Sequence, residues 1–152
     1  MKKTSTLPVW RFLFLIYCGM MVWLLFRRSN DYISGVPYKL QLQHNANLIP
    51  FYTIGNYIHV LRHSGDSYLR AHCFINLGGN VLLFIPAGWL LPRLWPKTRN
   101  YIRFFVLCVG IMFLVESVQL LTLLGRFDVD DLILNLTGMT VGFLLYTLRQ
   151  GK

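Results

Sequence analysis

Acidic side chains are scarce in this 152-residue chain, with six Asp and Glu against 15 Lys and Arg, and all charged residues together make up 14%. A soluble domain of ordinary composition carries about a quarter charged residues, so a surface that faces water on every side is excluded. Cysteine is also sparse. Its count of three is odd, Cys18 and Cys108 fall inside apolar runs, and no CxxC occurs, which leaves neither a disulfide framework nor a thiolate metal site. Cys73, beside His72, reads as a packing residue. GxSxG, HExxH and a phosphate-cradling glycine loop are all missing, and with them the corresponding hydrolase, metalloprotease and nucleotide readings. His59 and His63 stand four apart but have no carboxylate at ligand spacing, so no metal and no cofactor is expected. There is no internal repeat.

What the chain does have is apolar length. Hydrophobic residues make up 55% of it, and they gather in runs over about 10–26, 74–91, 101–124 and 132–148. Each run is close to the ~17–25 residues that carry a helix across the hydrocarbon of a bilayer. Backbone groups in lipid must bond within their own segment, so the expected fold is all-α, one membrane domain over 1–152 with a bundle of four transmembrane helices. The first run follows Lys2 and Lys3 as a signal peptide would. It lacks a small-x-small cleavage site before Arg27 and Arg28, and an uncleaved first helix is expected.

The basic residues flank these runs instead of forming a face, and no nucleic-acid module accompanies them, so no nucleic-acid partner is expected. Lys2, Lys3, Arg11, Arg93, Lys97, Arg99, Arg103, Arg149 and Lys152 fall at one end of the spans. Arg27, Arg28, Lys39, Arg62, Arg70 and Arg126 fall at the other, among most of the acids. Positive residues beside short loops stay cytoplasmic, which puts both termini inside a bacterial plasma membrane and makes 27–73 one long extracytoplasmic loop. Asn45 to Phe51 in that loop mixes polar, apolar and kinking residues, as a segment at or in the lipid interface would. Gly55 to His63 has the length of a short interfacial helix.

Polar side chains inside membrane spans are costly and are therefore candidates for function. Asn76 and Asn80 share one helical face, Glu116 and Gln119 another, and Asp131 and Asn135 repeat the spacing. Glu116 lies about 12 Å below Leu124 at ~1.5 Å per residue. Above this layer, Arg126 stands among Asp128, Asp130 and Asp131. An Asp at the start of the last helix would cap it, and Gln119 or an Asn would serve as glue between helices. Gly138 and Gly142, as GxxxG, and Gly78 and Gly79 fit close helix packing.

In order, Asn47-Leu-Ile-Pro-Phe51, Asn76-Leu-Gly-Gly-Asn80 running on to Pro86-Ala-Gly88, Glu116-x-x-Gln119, and Gly125-Arg126-x-Asp128-x-Asp130-Asp131 followed by Asn135, Gly138 and Gly142 closely resemble the VanZ-like family of small bacterial membrane proteins. The resemblance covers about residues 45–146. It implies four transmembrane helices and an association with low-level resistance to teicoplanin-type lipoglycopeptides.

The candidate site is then Asn47, Asn76, Asn80, Glu116, Gln119, Arg126, Asp128, Asp131 and Asn135, in the outward half of the membrane. The reading favoured is a non-enzymatic protein that binds an amphiphile there, a membrane lipid, a lipid-linked cell-wall precursor or a lipoglycopeptide. An enzyme acting on a lipid headgroup, with Glu116 or Asp128 as acid or base, is one alternative. A structural or assembly partner of another membrane protein is the other.

Overall fold

The computed structural model describes residues 7–27 and 32–150. Lys2, Lys3, Arg28, Asp31 and Lys152, which enter the charge balance, lie outside the described residues. The chain runs α1 (Leu7–Phe26), α2 (Tyr38–His44), β1 (Ala46–Asn47), α3 (Tyr52–His63), α4 (Ser67–Leu94), a 3-10 turn (Pro96–Arg99), α5 (Tyr101–Thr122), β2 (Phe127–Asp128) and α6 (Val129–Gln150). Four of these, α1, α4, α5 and α6, are long and apolar enough to cross a membrane.

The spans alternate in direction. Trp10 of α1 packs edge-on against Trp89 of α4, whereas Tyr17 Oη, further along α1, donates to the carbonyl of Leu83. Tyr101 and Phe104 at the start of α5 lie against Phe143 near the end of α6. The start of α1, the α4–α5 turn and the end of α6 therefore share one end of the bundle. The other end carries α2, α3 and both short strands. A core of Phe84, Ala87, Leu91, Phe104, Cys108, Met112, Leu136, Met139 and Phe143 joins α4, α5 and α6, with Met21 the residue α1 adds to it.

Glycine sets the tightest contact. A Cβ on Gly138 would lie 2.1 Å from the carbonyl oxygen of Val81, one on Gly142 2.1 Å from that of Ile85, and one on Gly88 1.9 Å from that of Met139. α4 and α6 thus touch backbone to backbone, as small residues allow in lipid, where close packing takes over from hydrophobic burial. Gly78 and Gly79 do not share this role, since a Cβ on either would meet nothing within 4 Å.

Within the segment expected as a loop over 27–73, the short helix expected at Gly55 to His63 is present as α3, and α2 and the first turns of α4 are further helix among the described residues. α4 begins at Ser67, where Asp66 caps it by accepting from the amides of Tyr68 and Leu69. Apolar run length hides this start because Arg70 and His72 interrupt the first turns. α2 and α3 pack back on the bundle: Tyr38 Oη donates to the carbonyl of Leu121, and Phe127 N donates to that of Asn45. β1 and β2 form a two-residue parallel bridge that pairs Ala46 with Phe127 and Asn47 with Asp128. Beyond it Leu48, Ile49, Phe51 and Tyr52 are exposed, an apolar knuckle at the end of the bundle that carries α3.

Candidate functional site

Two polar assemblies occupy the end of the bundle that carries α3. The first is built on the turn between α5 and α6. α5 stops at Leu123, which takes a left-handed φ of 54°, and Leu124 N returns to the carbonyl of Gln119. This is the hydrogen-bond pattern of a Schellman close. The chain then folds back over α5, so that Asp128 N donates 3.2 Å to Glu116 Oε2. Asp128 is the residue before α6 and caps it, with Oδ1 accepting from Asp130 N at 2.9 Å. The same carboxylate reaches across the bridge: Asn47 Nδ2 donates to Oδ1 at 3.2 Å and Thr53 Oγ1 to Oδ2 at 2.6 Å.

Asp130 does not cap its own helix. It is fully buried, and its two oxygens accept from Phe51 N at 2.5 Å and Ile54 N at 3.0 Å. These are donors at the open start of α3, where Phe51 stands in the left-handed region at φ 64° and no side chain of its own segment caps the helix. A left-handed conformation costs a non-glycine residue on the order of 1–2 kcal/mol. Charge-assisted bonds of about 1.5–3 kcal/mol each offset that cost, so Asp130 holds α3 on the bundle in its strained entry. Asn47 closes the arrangement by donating to Thr53 Oγ1 and accepting from Ile49 N.

The second assembly is a groove between α1 and α4, with a volume of about 320 Å³. Its polar wall is His72, Asn76 and Asn80 of α4 with Gln119 of α5, and its apolar wall includes Met21, Leu24, Leu83 and Phe84. Gln119 is 5% exposed and donates through Nε2 to the carbonyl of Leu25, which ties α1 to α5. Asn80 Nδ2 donates to Asp131 Oδ1 at 2.6 Å and so joins the groove to the first turn of α6. Asn76 instead bonds back to the carbonyl of His72, one turn earlier in α4, its amide lying beside the His72 ring.

The nine residues singled out from the sequence thus divide. Asn47, Glu116 and Asp128 meet in the first assembly. Asn76, Asn80 and Gln119 line the groove, and Asp131 reaches it through Asn80. Asn135 is buried in α6 with Oδ1 lacking a hydrogen-bond partner among the described residues, and Arg126 is exposed on the α5–α6 turn. Sequence reasoning missed Thr53 and His72, and read Asp130 as one of three acids around Arg126 and as a candidate cap for α6, not as an anchor for α3. The signal for Asp130 was negative: Pro50-Phe51-Tyr52 offers the start of α3 no capping side chain, so its amides need an acceptor from elsewhere. His59 and His63 stack with ring centroids 4.4 Å apart, and His63 Nδ1 lies 3.0 Å from the carbonyl of His59.

Comparison with known proteins agrees with the motif order. Protein VanZ of Enterococcus faecium is 29% identical over 142 residues, which span 92% of this chain and 74% of that protein. No solved structure matches. The VanZ/LLP1 family model matches residues 14–150. That match includes the greater part of α1, all of the other three spans, the bridge between β1 and β2, and both polar assemblies, and the chain belongs to the VanZ/LLP1 family.

Proposed function

We propose that this protein binds a membrane amphiphile in the groove between α1 and α4, in the outer leaflet, and that it does so without chemical turnover. The observation that carries the reading is the composition of the groove. Four polar side chains face a common space inside a membrane span, beside an apolar wall that would take an acyl or prenyl chain. A volume of about 320 Å³ suits a headgroup with the adjoining part of its chain. A lipid-linked wall precursor and the acylated part of a lipoglycopeptide share this chemistry, and the second would account for the teicoplanin tolerance that the family resemblance implies.

Binding is favoured over acid-base catalysis by the state of the carboxylates. Both oxygens of Asp128 and both of Asp130 already accept internal hydrogen bonds, and Glu116 is 4% exposed and accepts from Asp128 N. These groups hold α3 and the α5–α6 turn in place.

Gly79→Leu tests the groove directly. Gly79 lines it and has open space where a Cβ would stand, so Leu fills the site without a backbone clash and improves helix propensity. The variant melts at or above the wild-type temperature, and native mass spectrometry of protein loaded with a polyprenyl phosphate shows retention of that lipid reduced about tenfold or more, a loss of ~1.4 kcal/mol. Unchanged retention together with unchanged drug tolerance would sink the proposal.

The leaflet is tested by labelling in a background without Cys18, Cys73 and Cys108. His63 and Lys97 are both exposed and lie at opposite ends of the bundle. A cysteine at His63 reacts with an impermeant thiol reagent in intact cells, and one at Lys97 reacts only after permeabilisation. The reverse pattern would move the groove to the cytoplasmic leaflet.

A further inference from the structure

We propose a second lipid site at the opposite end of the bundle, where the cavity between α1 and the end of α4 seats an anionic phospholipid, its phosphate on Arg11. Charge segregation is the first observation. The acids of the chain are Asp31, Asp66, Glu116, Asp128, Asp130 and Asp131, so none occurs in 1–30, 67–115 or 132–152. The end formed by the start of α1, the α4–α5 turn and the end of α6 therefore carries only cations among its charged side chains, a field that favours anionic headgroups.

The second observation is a built cavity in that field. It has a volume of about 380 Å³ and is lined by Arg11, Phe14, Leu15, Leu94 and Trp95. Two neighbouring cations are engaged elsewhere. The Arg93 guanidinium lies 4.2 Å from the ring centre of Trp10 and 4.9 Å from that of Trp89, and Arg99 Nε donates to the carbonyl of Pro92. Arg11 is the cation that lines the cavity itself, and its planar donors suit a phosphate. Trp95 closes one side: it follows the last residue of α4 in extended conformation, and its ring meets Phe14 edge-on at 5.2 Å. An acyl chain would lie along Phe14 and Leu15 toward the bilayer centre, with the headgroup at the depth where tryptophan and arginine prefer to stand.

The site is independent of the groove between α1 and α4, since the two share no lining residue. The test is native mass spectrometry of the full chain from nanodiscs containing equal phosphatidylglycerol and phosphatidylcholine. Wild type retains phosphatidylglycerol, and Arg11→Gln retains about fivefold less, the factor expected from removing one basic group near an anionic headgroup. Leu15→Trp keeps every charge and fills the cavity, and it loses the lipid as well. Lys97→Gln removes a charge at the same end but outside the cavity, and it retains the lipid. Arg11 and Leu15 are both exposed, so neither change empties packed core, and helical content by circular dichroism matches wild type in both.

Equal loss in Arg11→Gln and Lys97→Gln, with none in Leu15→Trp, would show a diffuse basic belt and overturn the site. Equal retention of phosphatidylcholine would overturn the anionic requirement. Displacement by free glycerol phosphate would overturn the role of the acyl chain.

Discussion

Gly138→Leu separates α4 from α6 and lowers stability by about 3 kcal/mol or more, at the upper end of what overpacking costs. The obstacle is backbone. A Cβ at this position would stand 2.1 Å from the carbonyl oxygen of Val81 and 2.9 Å from its carbon, and neither can rotate aside as a side chain would. Gly142→Leu meets the carbonyl of Ile85 and the amide of Trp89 in the same way. Separation also carries Asp131 away from Asn80, so lipid retention in the groove falls with stability. Unfolding in mixed micelles, followed by circular dichroism, reads the effect. Gly78→Leu and Gly110→Leu serve as controls, since a Cβ on either glycine meets nothing within 4 Å. If Gly138→Leu unfolds at the same denaturant concentration as these controls, the backbone contact between α4 and α6 is not what holds the bundle.

Asp130→Ala has an effect of similar size through a different cause. Its carboxylate is fully buried and receives Phe51 N and Ile54 N, so alanine leaves two amides without their acceptor at the start of a helix that has no cap of its own. Part-buried donors that lose their acceptor cost up to about 1–3 kcal/mol each, which puts the loss at roughly 2–4 kcal/mol after partial relaxation. The left-handed backbone of Phe51 then has no compensation, and α3 detaches with the apolar knuckle that precedes it. Hydrogen exchange locates this: the amides of Phe51 and Ile54 lose protection while those in the middle of α5 keep theirs. Asp130→Asn retains one acceptor and falls between wild type and alanine. Protected Phe51 and Ile54 amides in Asp130→Ala would mean that α3 is anchored by other contacts.

The two substitutions test different layers of the same construction. Glycine contact decides where α4 and α6 cross, and that crossing decides which polar side chains meet. Asp130 and Asp128 then fasten α3 and β1 over the end of the bundle. The groove owes its shape to both, and among the described residues α1 is tied to it by hydrogen bonds from Gln119 Nε2 to the carbonyl of Leu25 and from Tyr17 Oη to that of Leu83.

Four membrane helices, their order and the segregation of charge between the two ends were determined by the sequence alone. Each span must satisfy its backbone within itself, so the length of an apolar run is sufficient evidence for a helix. The GxxxG of Gly138 and Gly142 was legible for the same reason, since only small residues let two helices touch. Helix ends were less legible. α4 reaches back to Ser67 because Asp66 caps it, and a hydropathy criterion does not register a cap.

Only the tertiary structure decided what each polar residue does. Asn76 and Asn80 share a face by helical period, yet Asn80 bonds across to Asp131 while Asn76 returns to the carbonyl of His72. Asp130 and Asp131 are adjacent in the first turn of α6, yet one anchors α3 and the other joins α4. Helical period gives the angle of a side chain about its own axis but not the rotation of that axis against its neighbours. That rotation is set where Gly88, Gly138 and Gly142 bring α4 and α6 into contact, and it turns one set of amides toward the acids and leaves another facing the groove.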